Sequence, residues 1–335
     1  MTEKRRGRRA ALLIVVLAVL AAAAVLSLMV GRQPLPPAAA LRALFRAGPS
    51  DAIDIVRGLR LDRTIVALVV GAALGGAGAL MQALTRNPLA DPGLLGVNAG
   101  AAAAVVTGFA VFGISGRFSQ MWLALVGAAI VSVAVYTIGS RGRAAATPAR
   151  LALSGAAVSA VLLAYINALA LSDQSNYDAM RFWAVGSVVN RGLDTLAAAL
   201  PFIVAGTALA LIVTPGLNAL ALGEDAGRSL GLRVGRVRLL TAVAVTLLCG
   251  AATAVAGPIG FLGLTVPHIV RGLIGPDQRA VVPLSMLMAS ALLVLADTAG
   301  RVVGTGREIE AGIMTAVLGG PVFVALVRRR KLVAL

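Results

Sequence analysis

The sequence predicts an all-α integral membrane protein with about ten transmembrane helices and both termini in the cytoplasm. Three observations carry this. The 335 residues are 59% hydrophobic and only 13% charged, against about 25% charged in a soluble domain. Nine stretches of at least 17 residues contain no Asp, Glu, Lys or Arg. Basic clusters stand at both ends of the chain, where they would hold those ends on the cytoplasmic side.

The uncharged stretches are 10–31, 64–85, 92–116, 118–140, 151–172, 195–223, 239–270, 280–296 and 311–327. A helix crossing hydrocarbon needs roughly 20 apolar residues. The first stretch is longer than the apolar core of a signal peptide and reads as span one. The stretch 239–270 is too long for one upright helix, and Gly257-Pro258 interrupts it. Proline removes a helical hydrogen bond. The stretch therefore divides into a span ending near Ala256 and a shorter one starting near Ile259, which makes ten.

Ten is an even number, as two cytoplasmic ends require. The N-terminus carries Lys4, Arg5, Arg6, Arg8 and Arg9, and the C-terminus Arg328, Arg329, Arg330 and Lys331. With this topology 19 of the 30 basic residues face inward. The longest outer loop, about 32–61, holds Pro34, Pro36 and Pro37 and then a short helix. The chain reads as one transmembrane domain over 1–335, with a basic tail at 1–10 and its largest inner loop at 218–233.

Composition excludes several classes. Long alternating segments, the mark of a transmembrane β-barrel, are absent, and 38 glycines suit close helix packing. The net charge of +16 is distributed between apolar runs, which points to helix orientation and not to nucleic acid. Cys249 is the single cysteine and reads as a small buried hydrophobe; His268 is the single histidine and cannot build a metal site alone. It reads as a cap or a backbone hydrogen-bonding group beside Pro267. No nucleophile–base pair is evident, so a membrane-embedded enzyme is disfavoured. No internal repeat or midplane acid supports a secondary transporter. The only lysines are Lys4 and Lys331, and neither follows a glycine, so no phosphate-cradling loop is present. No cofactor is expected in this chain.

Four clusters carry possible function. The segment Asn218–Gly231 follows Pro215, which is read as the end of span six. It looks like two short helices joined at Gly223, with Glu224 and Asp225 at the positive end of the second. On its residues alone it is either a solvated loop or a partner-binding element. Arg57, Arg60 and Arg63 are spaced by three, one side of a helix, and Arg301 ends span nine. These arginines are either interfacial anchors, neutralised by Asp54, Asp62, Glu308 or Glu310, or a rim that receives carboxylates bidentately. Asp297, four residues before Arg301, reads as its structural partner. The segment 85–93, with two prolines and a glycine, is irregular backbone that either packs as a tight loop or lines a pathway. Gly319-Gly320-Pro321 suggests close packing or a bend.

The run LRLDRTIVALVVGAALGGAGALMQALTRNPLADPGLLGVN at 59–98 resembles the FecCD-type permeases of type II ABC importers for iron-siderophores, haem and vitamin B12. NALALGEDAGRSLG (218–231), GPIGFLGLTVPHIVRGLIGPDQR (257–279) and EIEAGIMTAVLGGPVFVALVRRR (308–330) agree in order and spacing. The resemblance implies a permease subunit of the bacterial inner membrane. It would work with a second permease copy or paralogue, two cytoplasmic ATPase subunits that bind ATP and Mg, and an extracytoplasmic binding protein. It implies ATPase coupling at Leu222, Gly223, Glu224, Asp225, Arg228 and Gly231. It implies binding-protein docking at Arg60, Arg63 and Arg301, and a cytoplasmic gate at Asn87 and Leu89, with Thr147 a further candidate. An iron-siderophore or similar metal chelate is the expected cargo; haem and cobalamin are the alternatives. Asp62 and Ile309-Glu310 depart from the family pattern, which has proline at the corresponding points.

Overall fold

The computed structural model describes residues 3–31, 35–45, 53–140, 147–229, 231–304 and 308–328. Arg329, Arg330, Lys331 and Pro34 lie outside them. Among the described residues all regular structure is helical. In chain order the helices are α1 (Glu3–Met29), α2 (Pro37–Phe45), a π-helical segment α3 (Asp54–Leu61), α4 (Asp62–Thr85), α5 (Val97–Phe112) and α6 (Arg117–Ser140). Then come α7 (Pro148–Leu171), α8 (Gln174–Ala184), α9 (Leu193–Ala221), α10 (Glu224–Ser229), α11 (Val234–Ala256), α12 (Leu262–Ile274), α13 (Gln278–Val303) and α14 (Ala311–Arg328).

Each of the ten apolar stretches is a helix. Seven are long and apolar enough to cross a membrane; α5, α12 and α14 are shorter apolar helices. The expected division after Ala256 is present: α11 stops there, Gly257 takes φ +74°, and α12 begins at Leu262. At 13 residues α12 is only about 20 Å long, so irregular backbone at 257–261, with Phe261 left-handed, completes its passage. Backbone of this kind survives at depth only where protein covers it. Ser187 N–H donates to Ala256 O at 2.7 Å, and Gly312 N–H to Gly186 O at 3.0 Å, so the segments around 186, 257 and 312 cross one another. A Cβ at Gly257 would stand 2.6 Å from the Trp183 carbonyl oxygen.

Helices α4 and α11 form the centre, and α1 and α7 leave most of their apolar surface open. Small residues explain how α4 comes to be so enclosed. Gly71, Gly75 and Gly78 share a face, and a Cβ at any of them would fall inside 3.0 Å of backbone in α12 or α13. Ser290 Oγ donates to Leu68 O at 2.6 Å, binding α13 to α4 in the same seam. Asn98 Oδ1 accepts from Thr253 Oγ1 at 2.9 Å and ties α5 to α11. Cys249 is buried beside it, as expected. Gly319 packs against Phe261, where an added Cβ would stand 2.6 Å from the ring-bearing carbon, while Gly320 faces open space.

Two prolines expected to break helices do not. Pro215 lies inside α9, which continues to Ala221. A proline leaves the carbonyl four residues back without its donor; here that is Leu211 O, and Thr214 Oγ1 donates to it at 2.8 Å. The residues 218–221 are thus the last turn of a 29-residue helix about 43 Å long, which outruns a hydrocarbon core of about 30 Å. Pro267 likewise lies inside α12 and frees Gly263 O. Gln82 Nε2, from α4, donates to Gly263 O at 3.2 Å and to Leu264 O at 2.9 Å. His268 next to it is buried, with Nδ1 lacking a hydrogen-bond partner among the described residues. Its expected backbone bond is not made through that nitrogen.

Candidate functional site

Contacts with Asp277 and Asp297 mark the two ends of the bundle. At the Asp277 end, α9 projects and turns at Leu222-Gly223 into the short helix α10. Gly223 has φ +115° and Gly231 φ +80°, conformations that cost a residue with a Cβ 1 kcal/mol or more. Two glycines thus allow the chain to reverse twice within ten residues. The pair of short helices read from the sequence is replaced by the end of α9 and a single short helix.

Glu224 starts α10 and is held by two arginines. Arg238 of α11, with a side chain only 3% exposed, pairs with it closely; Arg228 lies 3.6 Å away on the next turn. Asp225 is fully exposed and Leu222 is 72% exposed. The element therefore has a fixed root and a free face. Sequence reasoning missed Arg238, because the chain turns at Gly231 between α10 and α11 and the pair with Glu224 is not made along one helix.

A second group fixes the base of α9. Asn218 Nδ2 donates to Asp277 Oδ1 at 2.8 Å, and Gln278 N–H donates to Asn218 Oδ1 at 2.8 Å. Arg9 Nη1 reaches Asp277 Oδ2 at 3.0 Å. Burial opposes ionisation of Asp277, but the bonds from Asn218, the Arg279 N–H and Arg9 outweigh it and hold the carboxyl below its usual range. The second turn of α1, the end of α9 and the start of α13 thus meet at one carboxylate.

The gate candidates lie at the same end, on separate elements. Helix α4 ends at Arg86 in the left-handed conformation, followed by a turn in which Asn87 Oδ1 accepts from Leu89 N–H at 2.9 Å. Asp91 Oδ1 accepts from Gly93 N–H at 2.8 Å and opens a 3-10 turn over Pro92–Leu95. Gly155 of α7 sits against Leu94 O, so this segment is packed on the bundle. Thr147 caps α7, accepting from Arg150 N–H at 3.4 Å. Among the described residues no hydrogen bond joins Thr147 to Asn87 or Leu89.

At the Asp297 end the arginines expected on a rim point inward. Arg60 stands in α3 and Arg63 in the first turn of α4, and both turn to the side that faces α1 and α13. The Asp62 N–H bonds to Leu59 O, which lets α3 run into α4 without a break. Arg60, Arg63 and Arg301 are all buried. Arg63 grips Asp297 with Nε and Nη2 at 2.6–2.9 Å and reaches Glu308 with Nη1 at 2.5 Å. Arg301 takes the other Asp297 oxygen at 2.5 Å, so the expected Asp297–Arg301 pair is present with a second arginine added.

The rest of the cluster closes the end of α1. Arg60 Nη1 donates to Leu28 O at 3.0 Å and Met29 O at 2.9 Å, and Arg301 Nη1 to Ser27 O at 2.7 Å. Ser27 Oγ and Thr64 Oγ1 bond at 2.7 Å. The last carbonyls of a helix lack intrahelical donors and carry partial negative charge. Here Arg60 and Arg301 supply donors to these carbonyls. The cluster locks α1, α4 and α13 together, and Arg63 and Arg301 already have carboxylates of their own.

No group of three or more His, Cys, Asp or Glu able to hold a metal occurs among the described residues. The FecCD transport family matches residues 17–329. The chain is 46% identical over 306 residues to the ferric enterobactin transport system permease protein FepD of Escherichia coli (strain K12), covering 91% of each. It is 40% identical to the probable siderophore transport system permease protein YfiZ of Bacillus subtilis (strain 168), covering 82% of this chain and 83% of that one. A solved inward-facing ABC transporter of the metal-chelate type superposes with a TM-score of 0.83 at 25% identity, covering 96% of this chain and 99% of the other. Both the match along the length and the bundle itself lead to one conclusion: the chain belongs to the FecCD transport family and is a multi-pass permease subunit of an ATP-binding cassette importer in the bacterial inner membrane, with ATP hydrolysis left to separate subunits.

Proposed function

We propose that this permease carries a ferric siderophore. The observation that supports this reading most is the likeness to a ferric enterobactin permease over nine-tenths of the chain. Haem and cobalamin are the alternatives, since an external binding protein sets most of the selectivity in such a system. The whole chain acts as one permease domain, paired with a second copy or a paralogue. Both termini and the 218–233 segment face the cytoplasm, where two ATPase subunits bind ATP and Mg. The permease itself needs no cofactor.

Leu222 at the turn after α9 and Asp225 and Arg228 of α10 form the face that meets an ATPase subunit, with Gly223 and Gly231 shaping the turns and Glu224 anchoring the element. A helix rooted through Arg238 passes a rigid movement of the ATPase to α9 and α11, as domain closure requires. Asn87 and Leu89, with Thr147 at the head of α7, form the cytoplasmic gate. On the outer face, Arg60, Arg63 and Arg301 serve docking by holding the rim in shape. A loaded binding protein stimulates transport by resting on that rim.

The test is reconstitution of the permease with its ATPase and binding protein. Ferric siderophore on the binding protein is expected to stimulate ATP hydrolysis and uptake. Stimulation by haem or cobalamin alone would reassign the cargo.

A further inference from the structure

Three cavities adjoin at the Asp297 end of the bundle, and Asn190 lines all of them. One, of about 550 Å³, lies between the ends of α5 and α6, helix α8 and the 187–191 loop. That is the size of a small-molecule site, which runs from about 300 to 1,000 Å³. Its wall includes Arg117, Gln120, Asn176, Trp183, Arg191 and Glu310. None of these was singled out for a role by the resemblance.

Among the described residues the two guanidinium groups are bound to the protein through main-chain oxygens. Arg117 Nη1 donates to Asn190 O at 2.6 Å, and Arg191 Nε to Ser187 O at 3.2 Å. Asn190 is left-handed, with φ +53°, a conformation that Asn tolerates better than most residues. Among the described residues neither arginine has a carboxylate within 4.0 Å. Burial lowers the pKa of Arg191 below the ordinary value, the charge of Arg117 lowers it further, and Glu310 opposes. This contrasts with Arg63 and Arg301 at the same end, which share Asp297. The remaining Nη groups of Arg117 and Arg191 therefore keep donors free beside a cavity that holds one carboxylate.

Glu310 adds a second feature. Its Oε2 is buried and has no hydrogen-bond partner among the described residues. A carboxylate oxygen left without a donor is costly, and a ligand hydroxyl or amide N–H in the cavity would relieve it.

We propose that this cavity is a subsite for an anionic metal chelate, in which Arg117 and Arg191 receive its negative oxygens and Glu310 accepts from a ligand O–H or N–H. The proposal rests on the ferric chelate reading above and narrows it to charged complexes. A small chelate fits the geometry better than the lobe of a docking protein, because the donors surround a concavity and do not lie on a flat face. A cationic side chain suits the role because the ligand oxygens carry negative charge, and arginine keeps its charge when partly buried.

Trp183 lines the cavity and is one of two tryptophans in the chain. A Trp122→Phe background in the full-length chain, in nanodiscs, leaves it as the only indole. Two probes are titrated, following its fluorescence: the ferric complex of a hexadentate tris-catecholate, an anion, and that of a hexadentate trihydroxamate, which is neutral. The anionic complex is expected to quench saturably, and more tightly than the neutral one. Arg191→Gln and Arg117→Gln are each expected to weaken it by about tenfold, the loss of roughly one charge-assisted contact. Arg191→Lys loses the bond to Ser187 but keeps the charge, and is expected to retain most of the affinity. Equal quenching by both complexes, or affinity unchanged in both glutamine variants, would overturn the proposal. So would a loss in the lysine variant equal to that in glutamine, which would mark Arg191 as a loop-positioning residue only. Uptake by the wild-type transporter is read separately: transport of ferric chelates with no arginine-dependent quenching removes the subsite and leaves the importer assignment standing.

Discussion

Glu224 at the start of α10 and Arg238 inside α11 form an ion pair whose two sides are not equivalent. The Arg238 side chain is 3% exposed and the Glu224 side chain 32%. Removing the carboxylate strands a buried cation; removing the arginine leaves a carboxylate that water can reach. Glu224→Gln is therefore expected to destabilise the fold by about 3 kcal/mol, and Arg238→Leu by distinctly less. Thermal unfolding of the two variants in one detergent checks the order, which a simple pairwise attraction would make equal.

The same pair gives a functional prediction. If α10 transmits ATPase movement, freeing its root raises the ATP hydrolysed per chelate imported, while the assembled complex still forms. Arg238→Leu is the variant to use, since it keeps more of the stability. An unchanged ratio in proteoliposomes would mean that the pair is structural only.

Asp297 serves two arginines at once, so Asp297→Asn leaves two buried guanidinium groups short of a counter-charge. A loss of about 3–5 kcal/mol is expected. Unfolding by denaturant in mixed micelles measures it; a loss under 1 kcal/mol would contradict the account of this end.

Asp277 predicts a pH dependence. Its folded carboxyl binds a proton less tightly than the unfolded one, so its contribution is fully present above the ordinary value of about 3.9 and is withdrawn as pH falls below it. Wild type is expected to exceed Asp277→Asn in stability at pH 7, and the gap is expected to close as pH drops below about 4. A gap that widens on acidification would have the wrong sign.

The α4 seam predicts a contrast between glycines. A Cβ at Gly75 collides with the Ser285 backbone, whereas Gly320 has nothing within 4 Å. Gly75→Ala is expected to cost about 1–3 kcal/mol by overpacking. Gly320→Ala is expected to shift stability by no more than about 1 kcal/mol, in the direction of helix propensity. Thermal unfolding of each variant settles the order.

Much of the fold was legible because lipid imposes a coarse rule: long uncharged stretches become helices, and all ten did so. The break at Gly257-Pro258, the burial of Cys249 and the pairing of Asp297 with Arg301 also followed from local sequence. The errors share a cause. Pro215 was read as a helix end and Pro267 as an interruption, because a sequence does not show that Thr214 or the distant Gln82 supplies the missing donor. Arg60 and Arg63 were placed on an exposed rim, and both are buried. Their inward turn depends on Asp297 and Glu308, more than 230 residues away in the chain, and on the open carbonyls of α1. Arg117 and Arg191 carried no signal, because only the folded chain brings them to one cavity.

The central claim is that movement of cargo through this bundle is driven by ATP hydrolysis in partner subunits. Uptake of radiolabelled ferric siderophore into proteoliposomes holding the full complex tests it, with ATP supplied on the ATPase side and a protonophore added. The account predicts uptake that requires ATP and continues when the ion gradient is collapsed. Uptake that persists without ATP and stops with the protonophore would contradict it.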